Sequence, residues 1–113
     1  MKVIIAGGRD FRPSQIDWIT LDMMKDSLHP TEIVCGACKG ADLFGADWAE
    51  ENDIPVKYFN PDWSLGKIAG PIRNAQMAEY ADAVLLFKGG RGTASMRKEA
   101  KKHGLQIREA IRY

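Results

Sequence analysis

The sequence predicts an α/β fold: a single three-layer, Rossmann-like domain whose sheet is mostly parallel, with strand order 3-2-1-4-5. Three observations carry this expectation. Short continuous apolar runs, Val3–Ala6 and Ala83–Phe87 among them, stop at glycine-rich turns, as strands buried on both faces of a parallel sheet do. Segments of helical periodicity separate such runs along the whole chain, which is the βαβ alternation. Right-handed crossovers then favour a sheet wound outward in both directions from its first strand. With 113 residues, one domain over 1–113 is expected, able to bury about two-thirds of its unfolded surface without a metal or disulfide staple.

Val3–Ala6 is the first strand, closed by Gly7-Gly8. Ser14-x-x-Asp17 after Pro13 reads as a helix start, and Trp18, Leu21, Met24 and Leu28 continue it at helical spacing until His29-Pro30. Thr31–Cys35 is the second strand, ended by Gly36. The second helix, Ala41–Glu51, places Ala41, Gly45 and Ala49 on one small-residue stripe that allows close approach to a sheet, flanked by Phe44 and Trp48. Ile54–Phe59 is the third strand, with Pro55 near its start where a missing N–H is tolerated. Asn60–Gly70 reads as irregular, and Pro71 suits the first turn of a helix running to about Tyr80. Ala83–Phe87 is the fourth strand, Gly89-Gly90-x-Gly92 a turn, and Thr93–His103 a helix with Gly104 at its C-cap. Leu105–Arg108 is a candidate fifth strand.

Composition narrows the function classes. A hydrophobic share of 45% with 27% charged residues is that of a folded globular chain and not a disordered one. No apolar run approaches the ~20 residues of a membrane span, and Met1-Lys2-Val3-Ile4 does not begin a signal peptide. Two cysteines fit a reducing cytoplasm, the expected location. The 16 basic residues nearly balance the 15 acidic ones, but unevenly along the chain. Residues 88–113 carry Lys88, Arg91, Arg97, Lys98, Lys101, Lys102, Arg108 and Arg112 against only Glu99 and Glu109. Such an end means either an anionic partner or a solvated helix face.

In a sheet of this order the ligand crevice lies beyond the carboxyl ends of strands one and four, where the winding reverses. Those strands lead into Gly7-Gly8-Arg9-Asp10 and Gly89-Gly90-Arg91-Gly92-Thr93. Glycines let backbone N–H groups approach an anion, and a following helix N-terminus adds partial positive charge. Thr93 is placed either to cap that helix or to donate its hydroxyl to phosphate. Neither a P-loop string nor a G-x-G-x-x-G fingerprint occurs, which disfavours ATP hydrolysis and hydride transfer. Asp42 opens the second helix, either capping it or accepting bonds from ribose hydroxyls. Arg73 shares a helical stripe with Met77 and Ala81, where an inward guanidinium needs an anionic partner. Asn74 lies beside it. Trp63, in the long connecting segment, either stacks on a base or staples the loop to the core. Cys35-x-x-Cys38 lacks the further ligands of a zinc site and reads as two small buried hydrophobes. No metal and no cofactor is expected.

Taken together, Gly7-Gly8-Arg9-Asp10-Phe11, Gly40-Ala41-Asp42 with Trp48-Ala49, Gly66-Lys67-x-Ala69-Gly70-Pro71-x-Arg73-Asn74 and Gly89-Gly90-x-Gly92-Thr93 resemble the SLOG superfamily, in particular its small phage and bacterial YspA-like Rossmannoid members. That superfamily includes the Lonely Guy phosphoribohydrolases, which release a base from a nucleoside 5′-monophosphate, and DNA-processing proteins. On the phosphoribohydrolase pattern Arg73 matches the functional Arg, Asn74 replaces a Lys and Lys88 a Pro. Gly89, Gly90, Gly92 and Thr93 match the phosphate turn, while Met96 stands where the catalytic Glu is expected. Cleaving an N-glycosidic bond needs a carboxylate beside the developing oxocarbenium ion, which methionine cannot supply. Glu99 one turn on, Asp42 and Asp10 are the substitutes the sequence offers.

The reading that follows is a protein that senses or sequesters a phosphorylated nucleotide or nucleotide-derived signal. Gly7, Gly8, Arg9, Asp42, Arg73, Asn74, Gly89, Gly90, Arg91, Gly92 and Thr93 are its candidate binding residues. An N-glycosidase using Asp42 or Glu99 is the alternative, and single-stranded nucleic-acid binding by the basic end a second. The resemblance also implies a homodimer, to which an open edge strand lends itself.

Overall fold

The computed structural model describes residues 1–110; Arg112 and Tyr113 lie outside the described residues. Five strands form one sheet: β1 (Lys2–Ala6), β2 (Glu32–Cys35), β3 (Val56–Tyr58), β4 (Ala83–Leu86) and β5 (Gln106–Glu109). Their order is β3-β2-β1-β4-β5 and every pairing is parallel, as the sequence predicts, with no antiparallel member. Four helices connect them: α1 (Gln15–Leu28), α2 (Ala41–Glu51), α3 (Ala69–Tyr80) and α4 (Arg91–Lys102).

β1 shows how the layers arise. Successive strand side chains point to opposite faces, so Val3 and Ile5 join the core beneath α1 and α2, while Ile4 and Ala6 join the core beneath α3 and α4. All four are buried, and each large aliphatic side chain so removed from water contributes about 1.5–3 kcal/mol before entropy is counted. The small stripe of α2 acts as its spacing predicts: a Cβ on Gly45 would come within 2.8 Å of the Ile5 side chain. The start of α1 is fixed by the Ser14 N–H, which donates to Asp17 Oδ2 at 2.7 Å. His29 caps its far end at φ 48°.

Three boundaries near the pocket differ from expectation, each for a local reason; elsewhere the third strand shortens from Ile54–Phe59 to Val56–Tyr58 and the fifth shifts by one residue. Asn60–Gly70 is not irregular throughout, because Trp63–Ile68 forms a 3-10 turn started by Asp62, whose Oδ1 accepts from the Ser64 N–H at 3.1 Å. Gly66 breaks that turn at φ 72°. α3 begins at Ala69, so Pro71 is its third residue, still within the first turn whose N–H groups have no helical acceptor. α4 begins at Arg91 with Gly90 as N-cap, so Arg91 and Gly92 belong to the helix and not to the preceding turn. Among the described residues no helix is long and apolar enough to cross a membrane.

Candidate functional site

A pocket of about 890 Å³ opens beyond the carboxyl ends of β1 and β4. Every candidate binding residue lines it: Gly7, Gly8, Arg9, Asp42, Arg73, Asn74 and the run Gly89 to Thr93, with Trp63 at the mouth. Its walls thus come from loops after three strands and from the first turns of α3 and α4.

The floor is made of backbone packed on backbone. The Gly8 N–H donates to Lys88 O at 2.9 Å, and Gly8 O accepts from Phe11 N–H at 3.2 Å and Ala41 N–H at 3.3 Å. The loops after β1 and β4 are therefore joined to each other at the base of the crevice. A Cβ on Gly7 would meet Ala41 Cβ at 2.6 Å, and one on Gly8 would meet Gly89 Cα at 3.1 Å. Gly40, at φ 81°, would place a Cβ inside the contact radius of Gly8 O. Phe11 pins the β1 loop from below, its ring 4.9 Å from that of Phe87 and 5.6 Å from that of Phe44.

At the β2 side sits a buried polar corner. Arg73 is only 8% exposed and Asp42 7%. The Arg73 Nη1 donates to Gly36 O, and its Nε donates to Asn74 Oδ1 at 2.9 Å. Cys38 Sγ lies 3.6 Å from Nη1. No carboxylate lies within 4 Å of the guanidinium among the described residues. Asp42 does not cap α2, whose N-cap is Gly40; its Oδ2 accepts from the Cys38 N–H at 3.3 Å. Burial pushes the Asp42 carboxyl up to about 6, with the Cys38 N–H, Arg73 and Arg9 holding it down. Cys35 is buried beneath this corner and its thiol is pushed up to about 11, mainly by burial. Cys38 departs from expectation, being half-buried and part of the pocket lining, because its loop turns back over Arg73.

At the β4 side the first turn of α4 opens into the pocket. Gly90 and Gly92 have no atom within 4 Å of a would-be Cβ, and Asn74 holds the turn by donating from Nδ2 to Gly92 O at 3.3 Å and to Ser95 Oγ at 3.2 Å. Thr93 is not the cap of α4, and its Oγ1 is buried against Gly89 with no hydrogen-bond partner among the described residues.

Trp63 is 55% exposed and no residue of its 3-10 turn is buried, so it does not staple the segment to the core. The Arg9 guanidinium lies 5.8 Å from its ring centroid, within cation–π reach. Met96 is buried and lines the pocket where the resemblance expects an acid. Glu99 does not line it; its Oε2 lies 3.7 Å from His103 Nε2. Asp10 does line it. The basic end is partly spent within the molecule, since Arg97 pairs with Glu109 at 2.5 Å and Arg108 donates to Ser27. Sequence reasoning missed Lys67, Cys38 and Ser95 as pocket residues. Only Lys67 carried a signal, as a lone cation beside a glycine in the segment that holds Trp63.

No curated protein and no solved structure matches the chain. A family model described as the YspA, cpYpsA-related SLOG family matches residues 1–66. That stretch contains Gly7, Gly8, Arg9, Asp42 and Trp63, and ends before Arg73 and Gly89–Thr93. Membership in a SLOG family suggests nucleotide-related ligand binding or processing. The match takes in more than half of the sequence and is supported by the ordered sheet and pocket: the chain belongs to the YspA, cpYpsA-related SLOG family.

Proposed function

We propose that the pocket binds a phosphorylated nucleotide or nucleotide-derived signal, and that the protein senses or sequesters it. The observation that carries this reading is the opening of the α4 N-terminus into the pocket, with Gly90 and Gly92 leaving its backbone uncovered. Unbonded N–H groups and the helix dipole there favour a phosphoryl group. Gly7 and Gly8 form the floor, Arg73 donates from the buried corner, and Asp42 accepts from a ribose hydroxyl. Trp63 covers the base. The protein works in the cytoplasm, where such ligands are abundant, and pairs with a second copy through an open sheet edge, β3 or β5. Calorimetric titration against nucleoside monophosphates, ADP-ribose and cyclic nucleotides tests the reading. Micromolar or tighter binding of at least one is expected; no binding by the folded protein overturns it.

One observation favours a second reading, an N-glycosidase releasing the base. The Asp42 carboxyl, pushed up to about 6, suits proton donation near neutral pH. Chromatography for free base decides it. Absence of base at high protein concentration eliminates turnover, and full turnover by Asp42→Asn eliminates that residue as the acid.

A further inference from the structure

We propose that the ligand carries two or more phosphoryl groups in a row, a nucleoside di- or triphosphate or its ester, and not a monophosphate. This rests on the nucleotide reading above and goes beyond it in naming the ligand class. The argument is one of charge and reach. One phosphoryl group, with a charge of about −2, is matched by the α4 N-terminus and the two cations beside it, Lys88 and Arg91. Two more cations border the same mouth: Arg9 from the β1 loop, and Lys67 from the 3-10 turn before α3. All four are exposed, and none forms an ion pair within 4 Å among the described residues.

Among the described residues the carboxylates lining the pocket are Asp10 and Asp42; Asp10 offsets one of the four cations, and Asp42 faces the buried corner with its Cys38 N–H and Arg73 neighbours. Like charges drawn to one concave mouth repel each other and focus a positive potential there. They also sit on three separate chain segments. β1 and β4 are adjacent strands, roughly 5 Å apart, and Lys67 lies beyond on the connecting turn. One phosphoryl group on α4 leaves part of this charge uncompensated, whereas a phosphate chain lying along the mouth meets cations from all three segments. Thr93 points the same way. Its hydroxyl, 4% exposed as a residue and without a partner, lies against Gly89 in the turn that such a chain would cross, an unused donor beneath it.

The test is calorimetry of the full chain with the mono-, di- and triphosphates of adenosine, guanosine, cytidine and uridine at low and moderate salt. A 5′-phosphorylated oligonucleotide is run beside them. For at least one base the diphosphate is expected to bind about tenfold tighter than the monophosphate, a difference of about 1.4 kcal/mol, with a steeper loss in salt. In Lys67→Ala that ratio falls toward one. Lys67 is exposed, and circular dichroism verifies the fold of the variant. Equal affinity for mono- and diphosphate, a ratio unmoved in Lys67→Ala, or an oligonucleotide that outbinds every mononucleotide overturns this proposal and leaves nucleotide binding standing. No binding by any member removes both.

Discussion

Two glycine sets border the same pocket and exist for opposite reasons. Gly7, Gly8, Gly40 and Gly89 are locked, because the space where each Cβ would go is already filled by backbone or by a neighbouring side chain. Gly90 and Gly92 are open, with nothing near their would-be Cβ atoms. The first set builds the floor by letting three loops touch; the second leaves the α4 N-terminus uncovered, where the proposed ligand would sit. In sequence both are simply Gly pairs after apolar strands. The contrast shows that a glycine-rich loop in this fold is not evidence of a phosphate site until its packing is known.

The comparison breaks most visibly at Gly40. Gly40→Ala adds a Cβ at φ 81° directly against Gly8 O, combining backbone strain with a clash that no side-chain rotation relieves. A loss of about 3 kcal/mol or more in denaturant unfolding is expected; a loss under about 1 kcal/mol would mean that the floor is not locked. A second effect of comparable size comes from Asp42. Its folded pKa of about 6 stands above the ordinary 3.8, so the folded state holds a proton that the unfolded state has released. Stability must therefore fall as pH rises from about 4 to about 6, a penalty fully present above that window and absent below it. Two pKa units correspond to on the order of 3 kcal/mol. Asp42→Asn is expected to flatten this stretch of the stability–pH curve, and an unchanged slope contradicts the burial argument.

Smallest is the open set. Gly92→Ala replaces a helical glycine in free space, and should raise stability by about 0.5–1 kcal/mol by helix propensity while weakening nucleotide binding at least severalfold. If affinity holds, the open glycines are not there for a ligand. Gly89→Ala, three residues away in the same run, should by contrast destabilise, because its Cβ would overlap Thr93.

Much of the architecture was legible because it depends on pattern. Val3–Ala6 and Ala83–Phe87 are continuous apolar runs, the Ala41-Gly45-Ala49 stripe has helical period, and crossover handedness does the rest. Arg73 was legible by the same logic, since its stripe with Met77 and Ala81 faces inward. What was not legible depends on contact between distant segments. Gly8 and Lys88 are eighty residues apart in sequence, so nothing local reports that their backbones are hydrogen-bonded. Thr93 looks like a cap or phosphate donor from its place in the motif; only packing reveals that Gly89 occupies the direction its hydroxyl takes. Cys38 looks like Cys35 in sequence, yet Cys35 ends β2 inside the core while the loop after β2 carries Cys38 to the pocket wall.

The 3-10 turn over the mouth has a consequence of its own. No residue of Trp63–Ile68 is buried, and its start rests on bonds to Asp62 within the same short segment. Trp63, Leu65 and Ile68 already have about half of their surface in solvent, so lifting the turn uncovers far less apolar area than moving β1, which would open both cores. Local opening draws on the elements with fewest buried contacts, so the amides of this turn should exchange with solvent long before those of the central strand. For the proposed ligand, entry would then depend on how often this light turn lifts, and residence on how firmly the ligand itself holds Trp63 and Lys67 in place.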